Sequence, residues 1–311
     1  MIDIIGKRYF FFILSLVIIV PGLVALGWMG ATGRLPLSID FTGGSLLEVS
    51  FASAQPQPAD IISLYAELGV KDTSVQTTSV GSYNIRSSAL EESVRTQIVD
   101  ALKTRFNSEV TVLRFENVGP TIGREVAQRA AMAVGVAALI VTIYMTIAFR
   151  GMQHAVRYGL CAILAMLHDI GIVFSLTAIG SLLWGWQIDS LFLTALLTVI
   201  GFSVQDKIVV FDRVRENSTI YRRLPFETLV NHSIVQTLGR SLNTQLMTVE
   251  FMLLSLALFG GITLREFSII LLVGLASGTY SSIFIASSAL VVWEQKEWRT
   301  WFGRNKGEQP A

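Results

Sequence analysis

The sequence predicts an α-helical membrane protein with six transmembrane helices and one small ferredoxin-like α+β external domain inserted after the first helix. Three observations carry this. The chain of 311 residues is 52% hydrophobic and only 15% charged, far less charge than a soluble chain of this length would expose. Apolar runs of about 20 residues, enough to cross ~30 Å of hydrocarbon, recur along it. One mixed, polar stretch, residues 34–120, separates the first run from the rest.

The runs fall at about 9–29, 126–149, 156–180, 188–211, 241–260 and 267–293. Lys7 and Arg8 precede the first, Arg150 and Arg157 separate the second and third, and Arg213, Arg215, Arg222, Arg223 and Arg240 lie between the fourth and fifth. The 181–187 connection has no charge. The excess of Lys and Arg on one side predicts that both termini are cytoplasmic and that 34–120 lies outside. The first run is too long for a signal peptide and no small-x-small cleavage site clearly follows it, so it reads as a retained anchor, kinked at Pro21. The predicted organisation is a tail and first span over 1–33, an external domain over 34–120, a five-span bundle over 121–295 and a basic tail over 296–311. Trp298 and Trp301 among the basic residues of that tail read as an interfacial anchor.

Within 34–120, the alternation in Ile39-Asp40-Phe41 and Leu47 to Phe51 predicts strand. Pro56 and Pro58 open a helix from Ala59 to Leu68 that Gly69 ends. Val70 to Thr78 and Ser82 to Ser87 read as a hairpin pair around Gly81. Leu90 to Phe106 has helical spacing, and Val110 to Phe115 is a last strand. The order βαββαβ is ferredoxin-like. No catalytic grouping appears in this insert, which reads as a folded contact module.

Composition excludes other classes. A net charge of +1 argues against a nucleic-acid binder. Cys161 is the only cysteine, so there is no internal disulfide and no cysteine metal cluster. Neither a nucleophile–base set nor metal-ligand spacing is present, so the chain reads as non-enzymatic, with no metal and no cofactor.

The chemistry concentrates where charge enters the apolar runs. Ionisable groups inside a span are costly, and they mark functional paths or tight pairs. Asp206 and Lys207 interrupt the fourth run, and Arg240 opens the fifth. A desolvated carboxylate favours its protonated form and an approaching Arg favours the charged one. Relative movement of Asp206 and Arg240 would therefore load and release a proton; the plainer reading is a structural pair locking spans four and five. Asp169 lies mid-span in the third run with His168 beside it; the two read as proton path or as buried, packed polar groups. Glu250 in the fifth run sits about five residues, or ~7 Å, from the level of Lys207, within reach of a Lys stem, which predicts an intramembrane pair. Lys207 could instead hold Asp206 ionised. Asp212, Arg213, Arg215 and Glu216 at the membrane edge read as an anchor with exposed pairs or as a gate. Gly274, Gly278 and Ser282 form a small-xxx-small row that allows close helix packing.

Asp40-Phe41-Thr42-Gly43-Gly44 resembles the D-F-T-G-G signature of the SecD/SecF family. Val118-Gly119-Pro120, His168-Asp169, the Gly201 to Asn217 stretch, Gln236-Thr237-Leu238-Gly239-Arg240-Ser241, Phe259-Gly260-Gly261 and Gly278-Thr279-Tyr280-Ser281-Ser282 are similar to further motifs of that family, in the same order. The Val-Val-Phe-Asp-Arg-Val-Arg-Glu-Asn run and the small insert favour its SecF branch. The resemblance implies half of an RND-superfamily bundle in the bacterial plasma membrane. It implies pairing with SecD and a late, proton-motive-force-driven step of export through SecYEG, with SecA engaged indirectly and YajC or YidC as further partners. The external domain would hold or pull the emerging unfolded polypeptide while the membrane part conducts protons or sodium ions. The five residues from Asp40 to Gly44 would serve as a joint, or as simple turn geometry, with Asp40 a cap. Two departures stand out: the family usually has Asn-Asp-Thr or Asn-Asp-Ser where this chain has Gln205-Asp206-Lys207, and an uncharged residue is expected at Glu250. The alternatives are an RND-type transporter half for a small solute or lipid, and a structural subunit without ion coupling.

Overall fold

The computed structural model describes residues 3–78, 81–150, 155–245, 251–259 and 262–297. The chain divides into two units, 36–133 with 187–190, and the remainder. The first holds α2 (Ile39–Thr42), β1 (Gly44–Phe51), α3 (Pro58–Glu67), β2 (Ser74–Thr77), β3 (Tyr83–Ser87), α4 (Glu92–Phe106) and β4 (Val110–Val118). Its sheet order is β2-β3-β1-β4, antiparallel throughout, which is the ferredoxin-like arrangement. Pro58 starts α3 where its missing N–H costs nothing, and Asn107 ends α4 in the left-handed region. Leu47, Val49 and Ile85 alternate onto one sheet face and pack against Ile61, Leu64 and Tyr65 of α3 and Ile98 and Leu102 of α4.

The expected strand at Ile39–Phe41 is instead the short helix α2. Ser38 caps it, its Oγ accepting from Asp40 N at 3.2 Å, and Gly43 stops it at φ +73°. Three-residue alternation was too short to outweigh a Ser cap and a glycine stop. Gly44 has φ +123°, and a Cβ there would sit 2.7 Å from the carbonyl oxygen of Ser87; one on Gly43 would sit 2.7 Å from Pro120 Cα. Both glycines are needed where backbones cross. Asp40 accepts from the backbone N of Ser190 at 3.0 Å and from its hydroxyl at 2.8 Å, a helix-cap role.

The second unit is helical. Its elements are α1 (Arg8–Ala31), α5 (Pro120–Ala148) from Val134 onward, α6 (Ala155–Trp184), α7 (Ser190–Ile220) from Leu191 onward, α8 (Phe226–Gln245), α9 (Phe251–Phe259), α10 (Ile262–Tyr280), a π-helical turn Ser281–Ala286, and α11 (Ser287–Glu294). Among the described residues, five helices are long and apolar enough to cross a membrane: Ile5–Ala31, Pro120–Ala148, Ala155–Trp184, Ser190–Ile220 and Leu264–Glu294. The expected span 241–260 corresponds to the end of α8 and to α9, with 246–250 and 260 outside the described residues, so five of the six expected spans are seen among the described residues. Large apolar side chains stand exposed along α1 (Phe10, Ile13, Val17, Val24) and α5 (Met132, Leu139, Ile140, Ile147), as a lipid-facing surface requires. The fourth helix runs to Ile220 rather than ending near 211. Its charged stretch keeps Val214 and Asn217 buried on one side.

Small residues set the helix spacing. Gly22 of α1 lies against Ser175 of α6, whose hydroxyl donates to the Ile18 carbonyl at 3.0 Å. A Cβ at Gly278 would meet Ser203 Cα at 3.3 Å, and one at Gly274 would collide with Val199, so α10 and α7 touch backbone to backbone. The amino-terminal turn is clasped to the helix ends. Ile4 N and Ile5 N donate to Asn231 Oδ1 at 2.9 and 3.3 Å. Arg8 bridges Glu227 and Glu297, Tyr9 donates its hydroxyl to Glu297 at 2.6 Å, and Arg157 pairs with Glu294 at 2.6 Å.

Two outcomes are expected. Gly44→Ala, strained in φ and colliding with Ser87, should cost about 1–3 kcal/mol, read as earlier loss of protection of the β1 and β3 amides in hydrogen exchange of the whole chain. For Glu297, burial pushes the carboxyl up, but the hydrogen bonds from Arg8 and Tyr9 and the Arg8 charge outweigh it, so its pKa lies below 4.5. The stabilisation is complete above that ordinary value and is lost as pH falls through the lowered one. Amides of residues 4–8 should exchange faster in acid, and Glu297→Gln should exchange fast at every pH.

Candidate intramembrane charge site

Asp169 on α6 is the centre of the site, with its side chain and that of Lys207 both fully buried. Its Oδ2 accepts from Ser203 Oγ at 2.6 Å, Lys207 Nζ at 2.9 Å and Ser281 Oγ at 2.7 Å. Its Oδ1 accepts from Ser277 Oγ at 2.7 Å and lies 3.1 Å from His168 Nδ1. The donors arrive as two i,i+4 pairs, Ser203 with Lys207 on α7, and Ser277 with Ser281 on α10 and its π-helical continuation. Each pair shares one helix face. The glycine contacts between α7 and α10 bring the two faces within reach of one carboxylate. A carboxylate offers about four lone-pair positions, so Ser203, Lys207, Ser277 and Ser281 already saturate it.

Lys207 is equally satisfied. Its three ammonium protons have Asp169 Oδ2, the Ser203 carbonyl at 3.1 Å and Ser203 Oγ as acceptors. The expected partner Glu250 lies outside the described residues, and the lysine's donors are committed to Asp169 and Ser203. Among the described residues the charged partner of Lys207 is Asp169 on α6, a pairing the sequence reading did not include.

Asp206 is differently placed. It is half-buried, and its Oδ2 accepts from Thr279 Oγ1 at 3.0 Å. Its hydrogen-bonding neighbour is on α10, and Gln245 at the end of α8 donates to the Leu275 carbonyl of the same helix at 3.3 Å. Arg240 is exposed and lines a pocket with Asp212, Arg213, Glu216 and Gln236. In that edge cluster Arg213 pairs with Glu216 at 2.8 Å and Arg215 with Asp212 at 3.8 Å, both exposed.

His168 extends the network away from Asp169. Its Nε2 lies 2.9 Å from Ser15 Oγ, Ser15 lies 3.3 Å from the Tyr280 hydroxyl, and Tyr280 donates to the Phe11 carbonyl at 3.1 Å. The Ser15 proton can serve His168 or Tyr280 but not both at once. The Tyr280 ring also stacks on His168 with centroids 5.9 Å apart. Asn217 donates to Ser233 at 2.8 Å and to Gln236 at 3.0 Å, which fastens α8 to α7.

Sequence reasoning missed Ser15, Ser203, Ser277, Thr279 and Ser281 as site residues. The available signal was the i,i+4 spacing of Ser203 to Lys207 and of Ser277 to Ser281. Asp169→Asn should leave a buried ammonium without its counter-charge and cost about 3–5 kcal/mol, read as a lowered thermal midpoint in detergent. Adding Lys207→Met should recover most of that loss.

The sequence matches the family model described as protein export membrane protein SecD/SecF, C-terminal, over residues 97–296, and the SecD/SecF GG motif over 29–55. A protein translocase subunit SecF of Anaerolinea thermophila is 63% identical across 100% of this chain and 99% of its own length. One from Thermobaculum terrenum is 43% identical with both chains fully covered. The crystal structure of SecDF from Thermus thermophilus, described as a translocon-associated membrane protein, superposes with a TM-score of 0.79 at 32% identity, covering 94% of this chain but 39% of the solved one. A family match over most of the chain and an end-to-end relative at that identity agree: the chain belongs to the SecD/SecF family of protein export membrane proteins, in its SecF branch.

Proposed function

We propose that this chain, paired with a SecD-type subunit, assists polypeptide export through a SecYEG-type channel, and that Asp206 is the group that takes up and releases the driving proton. The relatives that carry both halves in one chain, such as SecDF of Thermus thermophilus and of Bacillus subtilis, favour the pairing, since this chain spans 34% and 38% of their lengths. One observation carries the assignment of Asp206. Asp169 is saturated by four donors, whereas Asp206, among the described residues, accepts one hydrogen bond, from Thr279. Taking up a proton needs an acceptor position that is not already filled.

Asp169 and Lys207 then form the fixed part of the site, and α7 and α10 carry the moving part. Protonation of Asp206 removes a charge next to Thr279 and changes what the α7–α10 contact can tolerate. Arg240 is the cation on α8 that would approach or leave as α7 shifts. The βαββαβ domain is the load, acting on the emerging polypeptide outside, with both termini cytoplasmic and the chain in the bacterial plasma membrane. The role is mechanical coupling, not catalysis, and needs no cofactor. YajC and YidC are secondary candidates for the same assembly.

Export of a secretory precursor into inverted membrane vesicles under an imposed proton gradient tests this. Asp206→Asn should abolish the gradient-stimulated part, a loss of tenfold or more, and leave the basal rate intact with normal assembly. An unchanged gradient response would make the chain a scaffold for its partner.

A further inference from the structure

Lys207 and its surroundings have the composition of a cation site. Three oxygens surround the ammonium: the Asp169 carboxylate, the Ser203 hydroxyl and the Ser203 backbone carbonyl. One is formally charged, one is a hydroxyl and one a carbonyl, a set suited to a hard monovalent cation. Ser277 and Ser281 hold the carboxylate from its other sides, so its oxygens are fixed. His168 and Asp206 are the remaining titratable groups nearby, and each has its own partner, Ser15 for the first and Thr279 for the second. The site is buried on every side, so no bulk water competes for the charge.

We propose that the Asp169–Ser203 oxygen cage is a monovalent-cation site that this chain keeps filled with its own Lys207 ammonium. Lys207 is thus a tethered cation. It excludes sodium from this cage and leaves the exchange of an ion to Asp206, which makes Lys207 the residue that sets ion specificity. This deepens the reading of the site under the proposed function and concerns which ion it admits. A simple structural pair would fill the same hydrogen bonds, and the response to sodium once the lysine is removed is what separates the two readings.

The experiment compares wild type and Lys207→Ala as full chains purified in complex with their partner, with thermal midpoints measured in sodium chloride and in choline chloride at equal ionic strength. Wild type should show the same midpoint in both. Lys207→Ala should melt lower in choline and recover by roughly 2–4 °C or more as sodium is raised, and adding Ser203→Ala should remove the recovery. Lys207→Thr and Lys207→Gln carry the same test if Lys207→Ala does not accumulate. A sodium-dependent midpoint in wild type, no sodium-specific rise in the folded variants, or loss of all three variants from the membrane whatever the cation, overturns the proposal. The readout does not depend on export. A sodium response in Lys207→Ala together with a normal gradient response in Asp206→Asn would reject the proposed function and the exchange at Asp206, while leaving the lysine-filled cation site standing.

Discussion

The ammonium of Lys207 against the carboxylate of Asp169, inside a helical bundle, is the interaction on which the rest of the membrane unit depends. An unpaired charge in such a place costs several kcal/mol, and a paired one is tolerated only with its remaining hydrogen-bonding capacity filled. That requirement dictates the packing. α6 must present Asp169, α7 must present Ser203 and Lys207 one turn apart, and α10 must present Ser277 and lead into Ser281. The three helices can meet at one point only if their backbones approach closely, and the glycines at 274 and 278 permit this. The π-helical turn beginning at Ser281 falls at the same level. Such turns are costly to keep and concentrate where a helix must re-aim its side chains.

Two carboxylates on neighbouring helices thereby take different characters from their surroundings alone. Asp169 has its lone-pair positions filled by four donors, one of them the Lys207 ammonium, whose other donors go to Ser203. Asp206, on the next residue of α7, points away to a single threonine hydroxyl. Saturation fixes the first, and on the proposed function the second is the one that exchanges a proton. Both face α10, so a change at Asp206 is felt by the helix that also closes the cage around Asp169.

Much of this was legible in the sequence, and the failures have physical causes. Run length gave the long helices, because crossing hydrocarbon leaves few alternatives. The βαββαβ order followed from period and from the proline and glycine stops, except at Ile39–Phe41, where a serine cap made a helical turn of three alternating residues. Intramembrane charge pointed to Asp169, Asp206 and Lys207 as the important groups. Their pairing was not legible: axial height matches Lys207 with Glu250, which lies outside the described residues, and says nothing of the Asp169 that α6 brings beside it. Ser203, Ser277 and Ser281 drew no reading as site residues, since the i,i+4 spacing of Ser203 to Lys207 and of Ser277 to Ser281 says nothing of a function until the carboxylate they face is known. Asn217 and Gln236 were visible as motif residues, but their link between α7 and α8 needed the fold.

The central claim is that Asp206, and not Asp169, changes protonation. Infrared difference spectroscopy of the purified complex across a pH titration reads this directly, through the band of a protonated carboxyl group. The account predicts a titrating carboxyl band in the wild type that disappears in Asp206→Asn, with the rest of the titration unchanged. A band that survives Asp206→Asn and is lost only when Asp169 and Lys207 are replaced together would contradict it.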